Sequence, residues 1–211
     1  MTLTRAEHLL NDQVRAVVMP NFRLLCEDVT LFFEGGLSDN KNDPGGLTNF
    51  GITQKLVDEL KLGFDVRSLT KPDAIVFYRI WFWEFFHCDL LSDLVVATKV
   101  FDMLVNVTGH AVAMVQSAVN QLYQSQVVVV DGRLGVHTAY YINRIEQTQM
   151  RRFLVLIKQE QRAFYLEQIK KRPSDKEFEF GWLRRAYWPF SDDLRPWPYL
   201  PHPGEGWLEG V

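Results

Sequence analysis

Glu34-Gly-Gly-Leu-Ser-Asp39-Asn-Lys-Asn-Asp43-Pro-Gly-Gly-Leu-Thr48-Asn-Phe-Gly51-Ile-Thr53 lies between two apolar helical runs, and its reading decides the fold around it. Upstream, Phe22, Leu25, Val29, Phe32 and Phe33 recur at helical spacing after Pro20, a residue suited to a first helical turn. The pattern predicts a helix to about Glu34, stopped by Gly35, which reaches the left-handed conformation without a Cβ clash. Glu34 then meets the negative pole of the helix dipole beside two phenylalanines, and both surroundings favour its protonated form. A neutral carboxyl group is what protonation of a glycosidic oxygen requires. The dozen residues that follow are rich in Gly, Asn, Asp and Pro, which predicts a chain reversal that brings Asp43 and Thr48 back toward Glu34. An acid facing a second carboxylate and a hydroxyl is suited to holding a water molecule across a sugar. The competing reading is a plain structural hairpin, because loop Asp and Gly usually serve turns.

Two other loop chemistries fail on residue type. Counted from Asp39, the third and sixth positions of a calcium loop are Lys41 and Pro44, and the twelfth is Phe50 rather than Glu. Gly45-Gly46 is not followed by the Lys-Ser or Lys-Thr of a phosphate loop.

The order EGG, NDPGG, then Thr48 with Gly51-Ile-Thr53, resembles the N-terminal signature of the glycoside hydrolase family 108 muramidases, which include phage endolysins. Eight residues separate Glu34 from Asp43, similar to the Glu, Asp, Thr triad of phage-type lysozymes, with the step from Asp43 to Thr48 one residue shorter. The resemblance implies a mainly α, lysozyme-like helical domain with a small β-hairpin or loop at the active site. It implies hydrolysis of the β-1,4 bond between N-acetylmuramic acid and N-acetylglucosamine, with Glu34 as acid and with Asp43, aided by Thr48, activating water by an inverting route. A closer Asp43 would attack directly and give retention. Leu37 stands where the family commonly has Tyr, and Leu47 where Glu is common. These departures keep a non-catalytic wall-binding or structural module in view as an alternative, and a secreted antibacterial effector is a third.

At 211 residues and 47% hydrophobic content, the chain is long enough for one sizeable core or two small ones. The net charge of −3 gives no support for a nucleic-acid partner. From Arg144 to Arg172, eight Lys or Arg accompany three Glu, which reads as a solvated helix face or as a wall-facing patch. Apolar runs are too short for stable membrane insertion, and the N-terminus lacks the apolar core of a secretory signal. The expectation is synthesis in the cytoplasm and action on the periplasmic cell wall after holin-type or secretion-system release. Cys26 and Cys88 match no metal or redox spacing and read as free thiols or a disulfide; the five histidines form no ligand pair. No metal or cofactor is expected.

Further along, Thr53 predicts a helix cap, with the helix running to about Leu62 and ended by Gly63. Thr70 with Pro72 and Asp73 predicts another helix from 71 to about 86. It carries Tyr78-Arg79-Ile80-Trp81-Phe82-Trp83, an aromatic run similar to one in the family. Adjacent aromatics point in several directions round a helix, so most serve the core, and Tyr78 or Trp81 is expected to line a saccharide groove. Residues 92–107 and 110–124 read as two helices, with Ser92 as cap and Gly109 between them. Phe101-Asp102 and Val105-Asn106 resemble a family segment; Asn106 either bonds a substrate N-acetyl group or satisfies carbonyls at its own helix end.

Asp131-Gly132-Arg-Leu-Gly135-Val-His-Thr138 reads as a loop with Thr138 capping the next helix, and resembles the peptidoglycan-binding region that accompanies family 108 domains. A helix from 138, with a break, continues to just before Pro173, and a shorter one ends near Trp188. The implied organisation is an N-terminal extension (1–20), a muramidase domain (21–120), a peptidoglycan-binding-like helical region packed as one unit (121–188), and a Pro- and aromatic-rich tail (189–211).

Overall fold

The computed structural model describes residues 36–39 and 46–187. The expected helix ending at Glu34, the N-terminal extension, Asp43 and the tail all lie outside these described residues. Two compact units divide them: the first ends at Gly109 and takes in Arg133–Val136, and the second comprises His110–Gly132 and His137 onward.

The first unit opens with an antiparallel three-stranded sheet in the order β1 (Ser38–Asp39), β2 (Leu47–Asn49), β3 (Ile52–Thr53). Asp39 pairs with Leu47 and Ser38 with Thr48, so the chain does reverse between Asp39 and Leu47. β2 returns into β3 through the two-residue turn Phe50-Gly51, both at positive φ (51° and 76°). Positive φ at both centres matches the right-handed twist of paired strands. Glycine adopts it without cost, whereas Phe50 is a bulky residue in a region that L side chains rarely occupy.

Thr53 caps α1 (Gln54–Glu59) as its sequence predicts, its hydroxyl accepting from the Leu56 N–H at 3.1 Å. The helix is shorter than expected. Reversal begins at Lys61, itself at φ 55°, before Gly63 is reached. In α2 (Lys71–Tyr78), the Asp73 carboxylate accepts from both the Thr70 N–H and the Thr70 hydroxyl, which secures the expected start.

The expected single helix to residue 86 changes character at Arg79. Residues Arg79–Glu84 form a π-helical segment. Arg79 Nε donates to Glu84 Oε1 at 2.9 Å, a side-chain pair five residues apart, which is the spacing at which π-helical turns bond. Asp89 accepts from both Arg79 and Trp83, tying the segment to the chain beyond it.

The two helices expected over 92–124 are both present in α3 (Leu94–Tyr123), divided by a kink where Val107 leaves helical values (φ −134°, ψ 43°). Asp93, next to the expected cap Ser92, accepts a first-turn N–H, from Val96 at 3.0 Å. In the second unit, α4 (Val136–Asn143) and α5 (Gln147–Lys171) are the expected broken helix. A 3-10 turn, Pro173–Phe178, leads into α6 (Glu179–Tyr187). Thr138 is buried inside α4 rather than capping it.

The valine-rich loop before α4 is held by side-chain amides one helical turn apart on α3. Asn120 donates to the Val128 carbonyl and accepts from its N–H, doing for one residue what a neighbouring strand would do. Gln116 accepts from the N–H groups of Asp131 and Gly132 and donates to the Asp131 carboxylate and the Thr138 hydroxyl. These bonds satisfy a β-branched run that has no sheet to join. Among the described residues, no helix is long and apolar enough to cross a membrane.

Candidate active site

Of Glu34, Asp43 and Thr48, only Thr48 falls within the described residues. It sits half-buried at the centre of the sheet, its backbone paired with Ser38 on one side and Thr53 on the other. Its hydroxyl donates to the Gly46 carbonyl at 3.1 Å, so its oxygen lone pairs remain able to accept.

Neighbouring side chains alternate across the strand, and Asn49 therefore points the other way, into the core. Its Nδ2 donates to the carbonyls of Val66 (2.9 Å) and Leu69 (3.2 Å). This buried amide anchors β2 to the short 3-10 turn Val66–Ser68. At the outer end of the sheet, Arg67 spans Asp39 (3.1 Å) and Asp65 (3.2 Å). The Arg67 backbone N–H, more than its charge, holds the Asp65 carboxyl below the usual carboxylate range. Neither Asn49 nor Arg67 stands out in the sequence: Asn49 reads as a turn residue, and its partners are 17 and 20 positions away.

Behind the β2–β3 turn, the first unit carries a half-open cavity of about 360 Å³. Its walls come from β3, α1, the aromatic segment and the bend in α3, including Leu56, Trp81, Phe85, Val105 and Thr108. Trp81, one of the expected groove residues, lines it half-buried. Tyr78 also borders it but is only 1% exposed, and its hydroxyl donates to the Phe50 carbonyl at 2.9 Å. The expectation that Tyr78 offers its face to a sugar is thus corrected: its ring packs edge-on against Phe77 and Phe101, and its hydroxyl holds the strained turn. Asn106 is half-buried in α3 next to the Val107 bend, between two residues of the cavity wall, Val105 and Thr108.

Cys88 is buried beside the aromatic segment. Burial, and then the Asp89 carboxylate, push its thiol up to about 12, so thiolate is scarce at neutral pH and nucleophilic chemistry is closed to it. At pH 8, iodoacetamide is expected to leave Cys88 unlabelled in the native chain and to label it once denaturant exposes it. Peptide mass mapping reads both states, and native labelling would contradict the burial. Among the described residues, no cluster of His, Cys, Asp or Glu is placed to hold a metal ion.

Residues 28–108, which span Glu34, Asp43, Thr48 and the whole sheet, match the family model Glycosyl hydrolase 108. Residues 110–187 match the model Predicted Peptidoglycan domain. The chain joins a family 108 glycosyl hydrolase domain to a predicted peptidoglycan domain. The two matches abut where the compact units divide, at Gly109 and His110. A solved structure of Brucella abortus SagA is similar to the hydrolase at 25% sequence identity and a TM-score of 0.59, covering 83% of this chain and 91% of that one. No curated protein matches it. Together the two domains make it a peptidoglycan hydrolase with a mainly helical, lysozyme-like fold.

Proposed function

We propose that the hydrolase is an N-acetylmuramidase that cleaves the β-1,4 bond between N-acetylmuramic acid and N-acetylglucosamine, with Glu34 donating the proton to the leaving oxygen. The observation that carries this reading is the family match over 28–108, which brackets an acid, a carboxylate and a hydroxyl in the order a muramidase uses. Asp43 is assigned to activating the attacking water. Thr48, at the centre of a sheet tied down by Asn49 and by Tyr78, is assigned to orienting that water through its accepting lone pairs. Trp81 and Asn106 are assigned to substrate contact at the cavity side of the site.

In its biological setting, the proposed role is that of a phage endolysin, held in the cytoplasm until a holin-type pore admits it to the periplasm. A secretion-delivered effector would use the same chemistry. Mass spectrometry of the products from purified sacculi tests the bond assignment. Fragments that end in reducible N-acetylmuramic acid are expected; fragments ending in N-acetylglucosamine would reassign the cleavage to the other glycosidic bond.

A further inference from the structure

The second unit carries an exposed aromatic face whose composition is unusual for the outer side of a helix. On α4 and the turn residue that follows it, His137, Tyr140, Tyr141 and Arg144 follow the i, i+3, i+4, i+7 spacing of one helical stripe. The opposite side, Thr138, Ala139 and Ile142, is buried. Solvated helix faces normally carry charge, yet three of these four side chains are rings, and Tyr140 is 52% exposed.

The rings are already ordered. Tyr141 packs edge-on against Tyr140, His137 and Tyr123, with centroids 5.3–5.4 Å apart. Tyr123, at the end of α3, donates its hydroxyl to the Tyr141 carbonyl at 3.0 Å, and partial burial raises its pKa, which keeps that donor protonated. Arg144 lies 4.8 Å over the Tyr140 ring, and among the described residues its guanidinium pairs with no carboxylate. Fixed rings with wet polar ends bind at a low cost in side-chain entropy.

We propose that Tyr123, His137, Tyr140, Tyr141 and Arg144 form the glycan-strand contact of the peptidoglycan domain, with sugar rings on the tyrosine faces and a strand carboxylate on Arg144. This rests on the peptidoglycan reading of the chain. Three features favour a glycan strand as the occupant: the whole patch lies within the stretch matched to the peptidoglycan domain, each tyrosine pairs an apolar face with a hydroxyl, and the cation complements an anionic polymer.

The test compares the full chain with the double variant Tyr140→Ala/Arg144→Ala on two substrates, insoluble sacculi and short soluble glycan fragments prepared from them. The KM for sacculi is expected to rise about tenfold, the scale of losing one stacking ring and one charge, while turnover of the short fragments and thermal melting stay unchanged. An unchanged KM for sacculi overturns the assignment and leaves the peptidoglycan reading standing. An equal loss on both substrates, or a lowered melting temperature, also overturns it. Arg144→Glu is the second variant; it is expected to raise the KM for sacculi more at low salt than at high salt, and a salt-independent effect counts against the carboxylate contact. A wild type that fails to cleave sacculi at all removes the peptidoglycan reading and this proposal together.

Discussion

Replacing Glu34 by Gln is expected to cut the release of reducing ends from peptidoglycan by about 10²–10⁴-fold, the usual contribution of a general acid. The substitution preserves size and hydrogen-bonding shape but removes the transferable proton, so wall binding should persist while turnover disappears. The two readouts separate chemistry from recognition, since the peptidoglycan domain is a separate matched stretch. Reducing-end assays alongside co-sedimentation with sacculi decide the outcome. Turnover within a few-fold of wild type would remove Glu34 as the acid and pass the role to another carboxylate.

The second large effect is on stability. Asn49→Leu keeps the side-chain volume but withdraws the buried amide that reaches Val66 and Leu69. The Val66 carbonyl still accepts from the Leu69 N–H at 3.1 Å, so the loss falls mainly on the Leu69 carbonyl. A buried acceptor left without its partner costs about 1–3 kcal/mol. At about 4–8 °C per kcal/mol for a domain of roughly 100 residues, that lowers Tm by about 4–24 °C. Activity is expected to fall with it, because Asn49 anchors the strand that carries Thr48. Calorimetry of the full chain reads the shift, and an unchanged first transition would show that the amide contributes nothing net to the fold.

The local devices were legible because they act over three or four residues. Thr53 and Thr70 announce their helices through side chains that bond within one turn. The reversal before Thr48 is written in Gly, Asn, Asp and Pro, and the strands on either side of it do pair. A break, which the pattern allowed without placing it, divides α4 from α5. Family resemblance then supplied the chemical order of Glu34, Asp43 and Thr48, which no periodicity encodes.

Other features came from contacts that no local pattern records. Tyr78 and Trp81 are both aromatic residues in one run, and only packing made the first a buried clamp on Phe50 and left the second on a cavity wall. Helical spacing also predicts no change at Arg79, where the aromatic segment becomes π-helical and carries a side-chain pair five residues apart. The same holds for Gln116 and Asn120, polar residues on a helix whose amides satisfy a loop 8–16 positions away. By itself, then, the sequence determined where the Thr53- and Thr70-capped helices begin and where the chain turns back, since those depend on neighbours along the chain. Which aromatic is a wall, which amide is an anchor and which helix face stays open to solvent were decided by tertiary structure, because each depends on residues that only folding brings together.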